Sequence, residues 1–275
     1  MILCKYLDSA GCLDIIKNQR LLATDPITFN DPFEIYPGIT GKPHKDKILR
    51  YIRNDLLPRL SSATKVVLPD FNGEFVLRDD DAVSKKVGRD LKPALMGEIK
   101  KGLERASQTL RVICFCDPSK IKDGDDILLW SHYGDKYKGV RIFFETDDIK
   151  ILSKNLFPVS YSFERASIDI TDPGEIGTKA EAAYRHILQT KNKSWEYEQE
   201  VRWTINLVEC TQEDGRSYIL LEPKAVRRID FGCRCESEKV IPLLKDDDNA
   251  YQHLKLYKAL VHEHRFSLKY QEIDF

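Results

Sequence analysis

The sequence predicts an α+β fold, and three observations carry that expectation. Short β-type runs recur along the chain, at residues 2–6, 110–116, 139–145 and 200–207. Segments with apolar residues at helical spacing separate them. A charged, helical stretch over residues 42–108 interrupts the pattern, which resumes directly after it. The chain therefore reads as one α+β domain, 1–275, with a helical insertion or cap at 42–108.

Each element follows from its local pattern. Residues 2–6 make a short strand, and Ser9 is placed to cap a helix reaching Arg20, with Leu13 and Ile16 inward. Residues 21–24 return extended. Residues 25–34 hold two Pro, two Asp and an Asn, all of which favour turns. Inside the insertion, 46–60 places Ile48, Leu49, Ile52, Leu56 and Leu57 on one helical side, 58–79 is irregular, and 80–106 is helical with Pro93 able to interrupt it. Residues 127–133 suit a short helix. Residues 139–145 alternate Val140, Ile142 and Phe144 against Arg141, Phe143 and Glu145, as a strand requires. Residues 156–163 are extended, with Pro158 marking an edge or a strand start, and a helix within 172–190 turns Ala183, Ile187 and Leu188 inward. The cleanest alternation sets Val201, Trp203, Ile205 and Leu207 against Glu200, Arg202, Thr204 and Asn206. Strands at 217–221 and 226–233, helices at 237–244 and 249–261, and a strand through Phe266, Leu268 and Tyr270 complete the series.

Composition narrows the function classes. The 275 residues carry 43 Lys plus Arg against 44 Asp plus Glu, for a net charge of -1. Such a balance gives no bulk attraction to nucleic acid or to an anionic membrane. At 42% hydrophobic and 32% charged, the chain has the composition of a folded domain and not of a disordered one. No apolar run reaches the length of a signal peptide core or a membrane span, so a cytoplasmic protein without a membrane partner is expected. Of the seven cysteines, two close pairs, Cys114 with Cys116 and Cys233 with Cys235, have one residue between them. Zinc and redox motifs usually need two or more, and buried free thiols on a strand face are the simpler reading. No metal ligand set is assigned.

Three clusters could carry chemistry. Lys5 and Tyr6 on the first strand accompany the loop Phe29-Asn30-Asp31-Pro32-Phe33, which is either a plain turn or part of a ligand site. The segment 129–139 places Ser131, His132 and Tyr133 just before a strand that can hold them rigidly. His132 is suited to acid–base work. Ser131 and His132 are adjacent in sequence and diverge, so they do not make a nucleophile and its base. In the third cluster, backward extension of the strand alternation would put Glu198, Glu200 and Arg202 on one face, about 7 Å apart. Two close carboxylates raise one another's pKa while an arginine lowers it. Such a set can bind a sugar hydroxyl, stabilise an oxocarbenium ion or hold a divalent metal, and it can equally be a solvated ion-pair face.

Taken in order, these motifs resemble a prokaryotic family of unknown function. Its members open with a Lys-Tyr strand, here Lys5-Tyr6, and carry a Phe-Asn-Asp-Pro-Phe loop, here Phe29 to Phe33. A Cys-Phe strand (Cys114-Phe115), a Leu-Trp-Ser-His-Tyr segment (Leu129 to Tyr133, then Lys138-Gly139) and a Trp-x-Tyr-Glu-x-Glu-x-Arg strand (Trp195 to Arg202) follow. Cys116 stands where the family often has Ser. The chain is also similar, over three positions, to ADP-ribosyltransferases: a basic residue on the first strand, a Ser or Tyr on a middle strand, and Glu-x-Glu at the start of a later one. Lys5, the Ser131 to Tyr133 segment and Glu198-x-Glu200 occur in that order.

That second resemblance implies a mixed, largely antiparallel split sheet and NAD as substrate. It implies Glu200 and Glu198 as catalytic groups, Glu200 facing the ribose cation and Glu198 positioning the acceptor or water. Tyr133 would stack on nicotinamide. Lys5, Tyr6, Asn30, Asp31, Ser131, His132 and Arg202 would line the NAD site. A protein or nucleic acid would be the acceptor of ADP-ribose, in a toxin or defence role. Two other expectations stand beside it: a non-enzymatic module that binds a protein or nucleotide, and a metal-dependent nuclease using Glu198, Glu200 and Asp31.

Overall fold

Strand β1 (Ile2–Leu7) runs through the interior of an eight-stranded sheet, between β5 (Val140–Glu145) and β4 (Leu110–Cys116). Beyond β4 come β10 (Glu200–Asn206) and β6 (Leu156–Pro158); beyond β5 come β13 (Val226–Phe231), β14 (Lys255–Val261) and β15 (Leu268–Ile273). Every neighbouring pair is antiparallel except β13 with β14; β2 (Arg20–Ala23), β12 (Arg216–Leu220) and β11 (Thr211–Glu213) form a separate antiparallel sheet. The result is a mixed, mostly antiparallel open sheet with helices, an α+β fold. β1 and β5 pair from Ile2↔Glu145 to Leu7↔Val140, yet β1 meets β4 at the single pair Cys4↔Cys116. Beside that junction the Lys5 ammonium donates to the Cys114 carbonyl at 2.9 Å.

The computed structural model describes residues 1–40, 101–102, 104–105, 108–122, 126–149, 155–169, 180–244 and 250–274. The chain divides into two units: Met1–Phe33, Ala106–Glu164 and Gln189–Phe275 form the first, Glu34–Arg105 and Arg165–Leu188 the second. The helical insertion expected over 42–108 lies, for nearly its whole length, outside the described residues. In the second unit β3 (Gly38–Thr40) pairs in parallel with β8 (Ser167–Asp169), and Ile187 of helix α3 (Ala180–Leu188) packs with Ala166 and Ile168. Among the described residues no helix is long and apolar enough to cross a membrane.

Alternation gives the first unit two very different sheet faces. Leu3, Ile113, Phe115, Ile142, Phe144, Val201, Trp203, Ile205 and Ile229 form one face, all buried. Two helices cover it with Cys12, Ile15 and Ile16 from α1 (Ser9–Lys17) and Val240 and Leu244 from α4 (Ser237–Leu244). Asp8, not Ser9, caps α1: its carboxylate accepts from the Gly11 N–H at 2.7 Å. The opposite face carries charge, and it is buried too. Arg202 is 1% exposed, Asp230 0% and Glu200 5%, and α2 (Asp126–His132) packs Leu129 and Trp130 with Cys4 and Tyr6 of the same face. Charges so far from water persist only when paired. Arg141 Nη2 therefore meets Asp230 at 2.6 Å and its Nη1 donates to the Tyr6 hydroxyl at 3.0 Å, while Arg228 Nε reaches Asp230 at 2.5 Å.

A left-handed turn delivers the chain from α2 into β5. Asp135, Lys136 and Tyr137 have φ of 45°, 53° and 71°, a run that L-residues resist. Hydrogen bonds hold it, from Lys138 N to Asp135 O at 3.0 Å and from Gly139 N to Gly134 O at 2.9 Å. Gly139 ends the turn because a Cβ there would lie 2.0 Å from the Leu7 carbonyl oxygen.

Two elements differ from expectation. The run 156–163 is broken into β6 and β7 (Ser160–Ser162), the latter pairing in parallel with β9 (Thr190–Asn192). Residues 249–261, expected as a helix, instead form β14 over Lys255–Val261. Leu256 and Leu260 are at helical spacing among good helix formers, but hydrogen-bonding edges on both sides, from β13 and β15, outweigh that local preference.

Asp230→Ala would leave Arg141 buried without its carboxylate and is expected to destabilise the protein by about 3–5 kcal/mol. Urea unfolding measures this, and an unchanged midpoint would refute the pairing argument.

Candidate functional site

A second group of ions on the charged face lies where the chain enters β10. Lys193–Glu198 is a 3₁₀ turn, begun by Asn192, whose side-chain oxygen accepts from Ser194 N at 2.9 Å. Gln199 then takes a left-handed conformation (φ 45°, ψ 48°) before the strand begins at Glu200. The expected backward extension of the strand is therefore incorrect. Glu198 and Glu200 are brought together by a turn and not by the pleat.

One ammonium joins them. Lys191 of β9 donates to Glu198 Oε2 at 2.6 Å and to Glu200 Oε2 at 3.0 Å. Arg202 meets the same Glu200 with two bonds, Nε to Oε1 at 2.8 Å and Nη2 to Oε2 at 3.0 Å. Tyr133, from the end of α2, donates to Glu198 Oε1 at 2.5 Å, and Asn30 Nδ2 lies 3.5 Å from that hydroxyl. The Phe29 ring covers the Arg202 guanidinium at 4.9 Å, and the Trp195 ring lies 5.1 Å from the Lys191 ammonium. Tyr161 of β7, the register partner of Lys191, accepts from the Glu200 backbone N–H at 2.7 Å. An aromatic rim borders the cluster. His132, Trp195 and Tyr197 have ring centroids 6.1 to 6.2 Å apart, and His132 Nδ1 is 2.9 Å from the Tyr197 hydroxyl.

The two carboxyl groups differ electrostatically. Burial pushes Glu200 upward, but the Arg202 guanidinium and then the Lys191 ammonium outweigh it and hold the group well below the usual carboxylate range. Burial also raises Glu198, and there the single lysine, opposed by the nearby Glu200 charge, does not cancel it. Glu200 is thus a fixed anion, while Glu198 sits nearer to proton exchange. Burial and the Glu198 charge push the Tyr133 phenol up, so it remains a donor. Burial likewise raises Tyr197, up to about 12.

Residues 129–203 match the model of a protein family of unknown function, DUF2971. The matched span begins on α2 and ends within β10. It contains Tyr133, Lys191, Glu198, Glu200 and Arg202, the core of the ion cluster. No curated protein and no solved structure matches the chain.

Of the residues singled out in sequence, the structure gathers Glu198, Glu200, Arg202, Tyr133 and Asn30, with His132 at the rim. Others go elsewhere. Lys5 leaves β1 on the side of Leu3 and bonds the Cys114 carbonyl. Tyr6 shares the charged face, but its hydroxyl belongs to Arg141 and its ring packs edge-on against Trp130 at 5.2 Å. Asp31 is buried and closes its own turn, accepting from Phe33 N at 2.8 Å. Ser131 is half-buried on α2. Among the described residues no group of three or more His, Cys, Asp or Glu side chains is arranged to hold a metal ion. Between Glu198 and Glu200, where a cation could sit, the Lys191 ammonium is found. Cys114 and Cys116 share a strand face as expected; Cys116 stands opposite Glu200, and the Cys114 thiol helps to hold that carboxylate low.

Lys191 and Tyr161 were not singled out from the sequence. No spacing rule connects a lysine on one short strand to a carboxylate nine residues later. The available signal was a general one, that a Glu-x-Glu-x-Arg stretch entering a buried strand needs another cation.

Two substitutions separate the carboxylates by stability. Glu200→Gln would remove the buried carboxylate that meets Arg202 with two bonds and is expected to cost about 3–5 kcal/mol at neutral pH. The stability that Glu200 contributes is present above its unfolded value, about pH 4.3, and is lost as pH falls through the lower folded value, so the variant should lose less on acidification than the wild type. For Glu198 the sign is opposite: its contribution is complete below the unfolded value and lost as pH rises through the folded one. Glu198→Gln should therefore stay within about 1 kcal/mol of wild type at pH 7. Urea titrations of both variants across pH test this, and equal costs would refute the assignment.

Proposed function

We propose that the cluster at the start of β10 cleaves the N-glycosidic bond of NAD, either transferring ADP-ribose or hydrolysing NAD to free ADP-ribose. The observation that carries this reading is the pair of buried carboxyl groups of unlike character, Glu198 and Glu200, bordered by aromatic rings. Breaking the bond between ribose C1′ and the pyridinium nitrogen sends its electron pair out with nicotinamide and leaves positive charge on the ribose. A fixed anion opposes that charge without reorganising, and Glu200 is such an anion. In the hydrolytic case, water adds its oxygen to C1′ and its proton passes to Glu198, whose elevated pKa suits a base. Tyr133 orients Glu198. The half-buried rings of Tyr133, Trp195 and Tyr197 offer stacking surface to a planar base. The order of Lys5, Tyr133 and Glu198-x-Glu200 along the chain, similar to that of ADP-ribosyltransferases, supports the same reading, although Lys5 bonds a backbone carbonyl outside the cluster.

A second reading, a non-enzymatic module that binds a nucleotide or a protein, is favoured by one feature. Lys191 and Arg202 meet Glu198 and Glu200 at close range, two cations against two carboxylates, as in structural ion clusters.

Nicotinamide release from NAD by the purified protein, with and without cell extract, discriminates the two. Under the enzymatic reading the wild type releases nicotinamide, and folded Glu198→Gln loses about 100-fold or more. Absence of both release and NAD binding in the wild type overturns it. Binding without release, retained in Glu198→Gln, supports the module.

A further inference from the structure

We propose that Lys191 is the positioning residue of this site: its ammonium, shared between Glu198 and Glu200, orients both carboxylates and leaves proton exchange to Glu198 alone. The inference rests on the glycosidic reading above, but its geometry stands without it. The ammonium is buried, 2.6 Å from one carboxylate and 3.0 Å from the other. It arrives on β9, three residues long, whose partner β7 supplies Tyr161, the acceptor of the Glu200 backbone N–H. The small β7–β9 pair therefore fixes Lys191 and the first residue of β10 relative to one another. Trp195, on the turn between Lys191 and Glu198, lies over the ammonium at 5.1 Å and limits its alternatives.

Charge bookkeeping explains why this lysine decides the roles. Facing the two carboxylates are Lys191 from β9, Arg202 from β10, Tyr133 from α2, Tyr197 from the 3₁₀ turn, Tyr161 from β7, and Cys114 and Cys116 from β4. Lys5 acts on Cys114 from β1. Of these, only Lys191 bonds both carboxylates with a full positive charge. Of the two carboxylates, Arg202 bonds Glu200. Removing the ammonium would leave two buried carboxylates with one guanidinium between them, and such pairs cannot both stay ionised at ordinary cost. Glu198, without an arginine of its own, is the group that must take up a proton.

The test is a pH titration of glutamate side-chain carbons by ¹³C NMR on the full chain, with the two resonances assigned through Glu198→Gln and Glu200→Gln. In the wild type, Glu198 should titrate above the ordinary glutamate value and Glu200 below it. In Lys191→Met the Glu198 titration should move up by about one pH unit or more, and Lys191→Arg should restore it. Lys191→Gln, which removes the charge and keeps a donor, replaces methionine if that variant unfolds, with the same shift expected. A folded, charge-free variant whose Glu198 titration does not move overturns the proposal. Nicotinamide release supplies an independent readout: its acid limb should follow the Glu198 titration upward in the charge-free variant. If the carboxylates shift but no variant or wild type acts on NAD, the positioning role stands and the glycosidic reading falls. Should release depend on Glu198 while its pH profile ignores Lys191, the glycosidic reading stands and the positioning role falls.

Discussion

Burial of charge on the second face of the sheet is the constraint on which the first unit depends. A strand such as β10 needs only one apolar face to fold, and Val201, Trp203 and Ile205 provide it. The other face puts Glu200 and Arg202 under a protein layer as well. Removing two such ions from water costs several kcal/mol each, so the layer is tolerable only if every charge is met at close range. That requirement dictates the rest: α2 must bring Tyr133 to Glu198, β9 must bring Lys191, and β7 must tie down the strand start. The Arg141, Asp230 and Arg228 group solves the same problem across β5 and β13 with the hydroxyl of Tyr6.

The two buried groups differ in a way that bears on function. Asp230 is met by two arginines and has no exposed atoms. At the start of β10 the carboxyl groups outnumber the arginines, and one of them, Glu198, is satisfied by a lysine and a phenol. A phenol hydroxyl is a weaker and more replaceable partner than a guanidinium. Strain accompanies this second group in the left-handed Gln199, which lies between its two carboxylates. A left-handed residue beside a carboxyl group that burial raises sets this group apart from the one around Asp230.

Much of the fold was legible because period-two patterning is local. Val140, Ile142 and Phe144, and then Val201, Trp203 and Ile205, announced their buried face without any knowledge of neighbours. The strand at Lys255–Val261 was not legible, since Leu256 and Leu260 satisfy helical spacing equally well and only pairing with β13 and β15 selects the extended form. In the site, Glu198, Glu200, Arg202 and Tyr133 stood out as clustered polar residues beside strands. Lys5 and Tyr6 stood out for the same reason, but adjacent residues on a strand point to opposite faces, so they could not both reach one ligand.

By itself the sequence determined the α+β class, the apolar face of each central strand and the presence of a Glu-x-Glu-x-Arg segment entering a buried strand. Tertiary structure alone decided the character of each group. Lys191 reaches the carboxylates because β9 pairs with β7, and Glu198 faces Glu200 because Gln199 turns left-handed. Ionisation depends on distances of a few ångströms between charges from separate elements, and those distances exist only once the chain has folded.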